Sequence, residues 1–239
     1  KRADVDFYMG HTVQGITTTP STVEVTTDKG TVTGEYLINA AGLYSDTLAA
    51  EVGVGSGYRI VPFRGDYYEL TPESSHLCNT MIYPTPDPDL PFLGVHYTRR
   101  TDGKVIVGPN AVLAFAREAY RNTEFDLGEL GAILEYRGFW KLLASPKMLG
   151  IAWEELNKSY RKEKFVEASQ QLVPAASEED FVRSYAGVRA QLVSEDGELI
   201  KDPMVRAGPR SLHVLNAVSP GLTCSLPFGE HIADRAIEN

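Results

Sequence analysis

LHVLNAVSPGLTCSLPFGEHIADRAIEN, residues 212–239, is the stretch from which the fold is read. Leu212 to Val218 is an apolar strand. Ser219-Pro220-Gly221 is a turn, and the segment after it has helical spacing, with apolar residues at Leu222, Leu226, Ile232, Ala233, Ala236 and Ile237. A strand feeding a glycine turn and then a helix presents unsatisfied backbone N–H groups and the positive end of the helix dipole, which suit an anion or an electron-rich ring edge. Pro227 kinks this helix or moves its start by one turn. The plainer reading is a terminal helix docked on a core sheet.

A second strand-to-helix junction lies near the other end. Tyr36 to Asn39 is apolar, Ala40-Ala41-Gly42 is nearly free of side chains, and Ser45 is expected to cap a helix through Leu48, Ala49 and Val52. The small residues serve either tight strand-to-helix packing or a close approach to a dinucleotide. Upstream, Thr12–Ile16, Thr22–Thr27 and Thr31–Ile38 are expected as three strands of a meander, turning at Asp28-Lys29-Gly30. Val5, Phe7 and Met9 alternate with polar residues and extend the sheet pattern to the start of the chain. Lys1-Arg2-Ala3 resembles neither an initiator nor a processed leader, so the chain is expected to be a piece of a longer protein.

The middle of the chain changes character twice. Arg59–Leu70 is a long strand, with Gly65 marking a bend or close approach. Residues 81–91 are proline-rich loop, and Phe92–Arg99 and Val105–Val107 form a hairpin about Thr101-Asp102-Gly103. Residues 125–172 carry apolar side chains at helical spacing, a helical insertion, and Ser177 starts a further helix. From 182 the pattern returns to strands, turning at Glu195-Asp196-Gly197. The expected fold class is α+β. Residues 1–58 and 186–239 make one domain, and 59–185, with the insertion, make the other.

Composition narrows the function. The 239 residues hold 23 basic and 32 acidic side chains, a net charge of −9, which disfavours nucleic acid and anionic membrane surfaces. Any anionic substrate then needs a locally placed cation. Two cysteines, Cys78 and Cys224, fit a reducing, cytoplasmic compartment, and no Cys/His spacing suits a metal. Gly53-Val54-Gly55-Ser56-Gly57-Tyr58 lacks the third glycine of a dinucleotide fingerprint and follows a helix rather than a strand, so it reads as a loop.

Several longer motifs carry a resemblance. Leu37 to Asp46 resembles the segment that passes beneath FAD in flavoproteins of the D-amino-acid-oxidase type. Ile60 to Leu70 resembles their crossing strand. Gly94-Val95-His96-Tyr97-Thr98, Val107 to Phe115, Ala186 to Gln191 and His213 to Pro220 are similar to the L-2-hydroxyglutarate oxidase and dehydrogenase family in particular. The family's opening G-x-G-x-x-G unit is absent, so the match is to a C-terminal portion.

The resemblance implies oxidation of a 2-hydroxy acid, L-2-hydroxyglutarate to 2-oxoglutarate, by hydride transfer to flavin N5. It implies that Arg189, in a Gly-apolar-Arg strand, holds a carboxylate, with Arg64 helping at the distal carboxylate or the flavin and Tyr68 beside the substrate. His213 is the first candidate for the base and His96 the second. Ala41, Gly42, Ser219, Pro220, Gly221, Leu222 and Thr223 would line FAD. Oxygen or a membrane quinone would take the electrons, the latter with peripheral contact at an inner membrane. An amino-acid or amine oxidase, or a flavin-free binding remnant, is the alternative.

Overall fold

The structure is a computed structural model that describes residues 5–85, 93–218 and 221–238. Residues 5–12 lie outside any strand, and Val5, Phe7 and Met9 are exposed, so the alternation there does not pair into a sheet. The meander follows as β1 (Val13–Thr18), β2 (Val23–Thr27) and β3 (Gly30–Gly34), antiparallel in that order. Its third strand is shorter than expected. The chain leaves β3 after Gly34 and starts a separate strand, β4 (Leu37–Asn39). A single 3-10 turn, Gly42–Tyr44, leads into α1 (Ser45–Glu51). Tyr44, not Ser45, occupies the cap, and the Ser45 hydroxyl is buried inside the first turn.

β5 (Tyr58–Leu70) is the long crossing strand. β6 (Met81–Ile82) is brief, and β7 (His96–Arg99) and β8 (Val105–Gly108) form the expected hairpin. β9 (Val112–Leu113) pairs with β5 at Phe63 and Arg64. Gly65 is the point of closest approach, because the Pro109 ring and the Asn110 carbonyl occupy the space a Cβ would need. The expected insertion resolves into α2 (Leu127–Glu135), α3 (Arg137–Leu143), α4 (Pro146–Tyr160) and α5 (Lys162–Gln170). Asp126 caps α2 by accepting the Glu129 N–H at 2.9 Å, and Pro146 opens α4 where its missing N–H has no partner to lose. Ser177 begins only a 3-10 turn, closed by Asp180 accepting its N–H (2.6 Å) and hydroxyl (3.0 Å).

β10 (Phe181–Ser194) is the other long strand, and the boundary drawn at 185/186 from sequence falls inside it. β11 (Met204–Gly208) and β12 (Ser211–Asn216) form the last hairpin before α6 (Ser225–Glu238).

The chain divides into two compact units, 60–199 and the pair of segments on either side of it. The inserted unit holds a six-stranded sheet with path β10-β5-β8-β7-β6 and β9 against β5. Tyr68, Tyr97, Val105 and Val107 pack against Phe165 of α5 and Phe181, while Val61 and Val193 pack under Ile133, Phe139 and Leu142 of α2 and α3. These two clusters fasten the helices to the sheet by apolar burial, at about 1.5–3 kcal/mol for each large side chain fully buried.

The flanking unit holds the meander and a second sheet, β11-β12-β4, in which β12 and β4 are parallel. α6 lies against this sheet through Phe228, Ile232 and Ala236, spaced four apart, which meet Val205, Leu212 and Val214. Leu222, Leu226 and Ile237, expected on that face, are instead 85–89% exposed. Pro227 sits in the first turn of α6, so the helix starts at Ser225 and is not interrupted.

Candidate functional site

Side chains of a strand alternate faces, and this parity sorts the candidates on β5. Arg64, Asp66 and Tyr68 share one face. Arg64 Nε donates to Asp66 Oδ1 at 2.9 Å, and its guanidinium also reaches Asn122 and Ser159. Asp66 Oδ2 accepts from Ser159 (2.6 Å) and Asn110 (3.1 Å). Burial opposes ionisation of Asp66, but hydrogen bonds from Ser159 and Asn110 and the charge of Arg64 outweigh it and hold the carboxyl below its ordinary range. Arg64 thereby ties α4 to the sheet through Ser159. Tyr68 is the third residue of that face. It is buried, 4.6 Å from Phe165 by ring centroid, within the apolar core.

The opposite face carries Tyr67, which sequence reasoning passed over. Tyr67 stacks on Tyr185 of β10 at 4.9 Å and 25°. Burial raises its phenol pKa, opposed by the charge of Arg189, so Tyr67 is a protonated donor at neutral pH. Arg189 shares its face of β10 with Tyr185 by parity. Burial pulls the guanidinium pKa down, opposed by Tyr67 and Glu155; the group stays cationic.

His96 of β7 belongs to the same cluster. Its Nδ1–H donates to the Gly94 carbonyl at 3.0 Å, which leaves the lone pair on Nε2. Its ring stacks on Tyr83 at 4.5 Å. Burial lowers its pKa, the Gly94 bond opposes, and Arg189 adds to the lowering, so the imidazole is neutral at pH 7. The inserted unit thus collects a cation, a neutral imidazole and three tyrosines. A carboxylate can be held there while a proton passes to Nε2.

His213 is fully buried in β12, and both of its nitrogens are occupied. Asn39 Oδ1 accepts the Ala41 N–H and Asn39 Nδ2 donates to Ser45 O, which fixes the amide orientation. Nδ2 therefore also donates to His213 Nδ1, at 3.0 Å, and His213 Nε2–H donates to the Ser211 hydroxyl at 2.9 Å. Both ring nitrogens are thus engaged within the fold, Nδ1 as acceptor and Nε2–H as donor.

The Asn39 amide shapes the turn that follows it. Ala40, Ala41 and Gly42 are exposed, Gly42 has φ of +56°, and nothing lies within 4 Å of where its Cβ would be. The left-handed backbone accounts for Gly42, and with the exposed Ala40 and Ala41 it leaves a bare strip of backbone that fits a flat cofactor lying close. Of the other expected cofactor residues, Ser219 and Pro220 lie outside the described residues. Gly221, Leu222 and Thr223 form a turn ahead of α6 and not its first turn, and Leu222 is 89% exposed.

Residues 1–235 match the family described as DAO, FAD dependent oxidoreductase. The chain belongs to that family. L-2-hydroxyglutarate dehydrogenase of Indibacter alkaliphilus is 40% identical over 232 residues, covering 97% of this chain and 58% of that protein. The enzyme of that name from Escherichia coli strain K12 is 41% identical over 227 residues, 93% of this chain and 53% of the relative. The chain thus spans about half the length of the relatives it matches. Among solved structures, an FAD-bound L-alpha-glycerophosphate oxidase from Mycoplasma pneumoniae superposes with a TM-score of 0.62 at 21% identity, over 96% of this chain and 50% of that one, a likeness of fold. The antiparallel and mixed sheets of this chain agree with that family's fold.

Proposed function

We propose that this chain supplies the substrate site of an FAD-dependent enzyme that oxidises L-2-hydroxyglutarate to 2-oxoglutarate. The observation that carries the reading is the grouping of Arg189 of β10, Tyr67 of β5 and His96 of β7 on one face of the sheet. Relatives at 40–41% identity that bear that substrate's name support it. Arg189 binds the C1 carboxylate through its planar fork. Tyr67, stacked on Tyr185 four residues along β10 from Arg189, donates to the distal end of the substrate. His96 Nε2 takes the proton from the C2 hydroxyl as the bond to oxygen becomes a carbonyl. FAD, when bound, accepts the hydride from C2. Ala41, Gly42 and the turn from Gly221 to Thr223 would lie beside it. The reading extends to a cytoplasmic enzyme that passes its electrons to oxygen or to a membrane quinone.

Steady-state kinetics on the full-length, FAD-loaded protein test this. Arg189→Met should raise KM for L-2-hydroxyglutarate about ten- to a hundredfold with flavin content unchanged, the effect of losing a hydrogen bond to a charged group. Turnover of L-glutamate or glycine in preference to L-2-hydroxyglutarate would move the assignment to an amino-acid oxidase. Normal kinetics in the variant would make Arg189 structural.

A further inference from the structure

Gly187 lies midway between Tyr185 and Arg189 on the same face of β10. Nothing lies within 4 Å of the position its Cβ would take. Its backbone is ordinary strand, a conformation that any residue adopts, so neither φ nor packing calls for glycine here. Glycine inside a strand costs stability and commonly marks a place where something approaches the backbone. The space above it is bounded along the strand by Arg189 on one side and by the stacked Tyr185–Tyr67 pair on the other. His96 is on the same face of the sheet as Tyr67, because Tyr68, Val107 and Tyr97 are in register on the other face.

We propose that Gly187 sets the length of acid that the site accepts. Residues two apart on a strand are about 6.6 Å apart, twice the rise per residue. An acid whose C1 carboxylate is held by Arg189 therefore lays its next carbons across Gly187. A five-carbon diacid brings its distal carboxylate toward the tyrosine pair, where the protonated Tyr67 phenol donates to it. A two- or three-carbon acid ends before Gly187. The missing side chain is the slot for the long substrate, and Gly187 acts as a specificity residue. The inference rests on the substrate site proposed above.

The test is calorimetric binding of 2-oxoglutarate and of pyruvate to the full-length, FAD-loaded protein. Gly187→Val should weaken 2-oxoglutarate by about tenfold or more, as a misplaced branch in a fitted pocket does. It should weaken pyruvate less than about twofold, with no fall in melting temperature. Gly187→Ala, a single methyl, should give the same asymmetry on a smaller scale, and it carries the test if the valine variant does not fold. Equal weakening of both acids, or of neither, overturns the role of Gly187. Arg189→Met separates the two levels. If it weakens both acids while Gly187→Val weakens neither, the site stands and the length rule falls; if it weakens neither, the site reading falls as well.

Discussion

Asn39 donates to His213 Nδ1 across 174 residues of sequence, at 3.0 Å, between the parallel strands β4 and β12. That one bond makes Nδ1 an acceptor and so decides the tautomer of His213. It also fixes the Asn39 amide that shapes the exposed Ala40–Gly42 turn.

His213→Gln should therefore leave turnover within about twofold of normal and lower stability by about 1–3 kcal/mol, the cost of disturbing buried hydrogen bonds. Its pH dependence has a defined sign. Burial lowers the folded-state pKa of His213 below its ordinary 6.5. The unfolded chain then binds more protons in acid, so this contribution is complete above pH 6.5 and is lost as pH falls through the folded value. Denaturation curves at pH 7.5 and 5.5 should show a smaller acid loss in the variant than in the parent. An hundredfold drop in turnover with flavin retained would make His213 the base.

His96→Asn should lower turnover by about a hundredfold or more, because the lone pair on Nε2 is removed while the fold keeps its shape. In the parent, kcat/KM should fall on the acid side through a pKa below 6.5, since His96 must be neutral to take a proton and burial holds it so. A pH–rate profile with no acid limb of that kind counts against the assignment.

Tyr67 and Tyr68 are adjacent yet should separate cleanly. Tyr68→Ala opens a cavity beside Phe165 and should cost about 3–5 kcal/mol, as aromatic truncations in cores do. Tyr67→Phe removes only a hydroxyl and should leave the melting temperature close to normal while raising KM several-fold. Urea titrations and kinetics on both variants check the split.

Asp66→Asn should destabilise by about 3–5 kcal/mol, because it leaves the buried Arg64 guanidinium without its counter-charge. The folded-state pKa of Asp66 lies below 3.8, so its contribution is present above that value and disappears as pH falls through the folded pKa. Acid unfolding of the variant should accordingly be shallower than that of the parent at pH 2–4.

Local features were the most legible. The turns at 28–30, 101–103 and 195–197 and the helical run from 127 to 170 declared themselves through glycine and apolar spacing, because both are set by neighbouring residues. Face assignment on β5 was not legible. That strand is buried on both sides along much of its length, so no alternation of polar and apolar residues shows which way Arg64, Tyr67 and Tyr68 point. The surroundings of His213 were not legible for the same reason: every residue of β12 is buried, and a polar side chain in such a strand reads as either site or core until its partners are known. Arg189 and His96 were named from family motifs; their grouping with Tyr67, Tyr83 and Tyr185 rests on pairings between strands far apart in sequence, which no local pattern carries.

The parallel pairing of β4 with β12 also bears on how the chain is made. A ribosome adds about 5–20 residues per second. The 174 residues between Asn39 and His213 therefore take roughly 10–35 seconds to emerge. Throughout that interval β4 has no partner strand, and by its end every strand and helix of residues 60–199 has been synthesised. Nascent Leu37-Ile38-Asn39 is thus an exposed strand edge on a time scale that chaperones sample, and slow codons after residue 60 would lengthen its exposure.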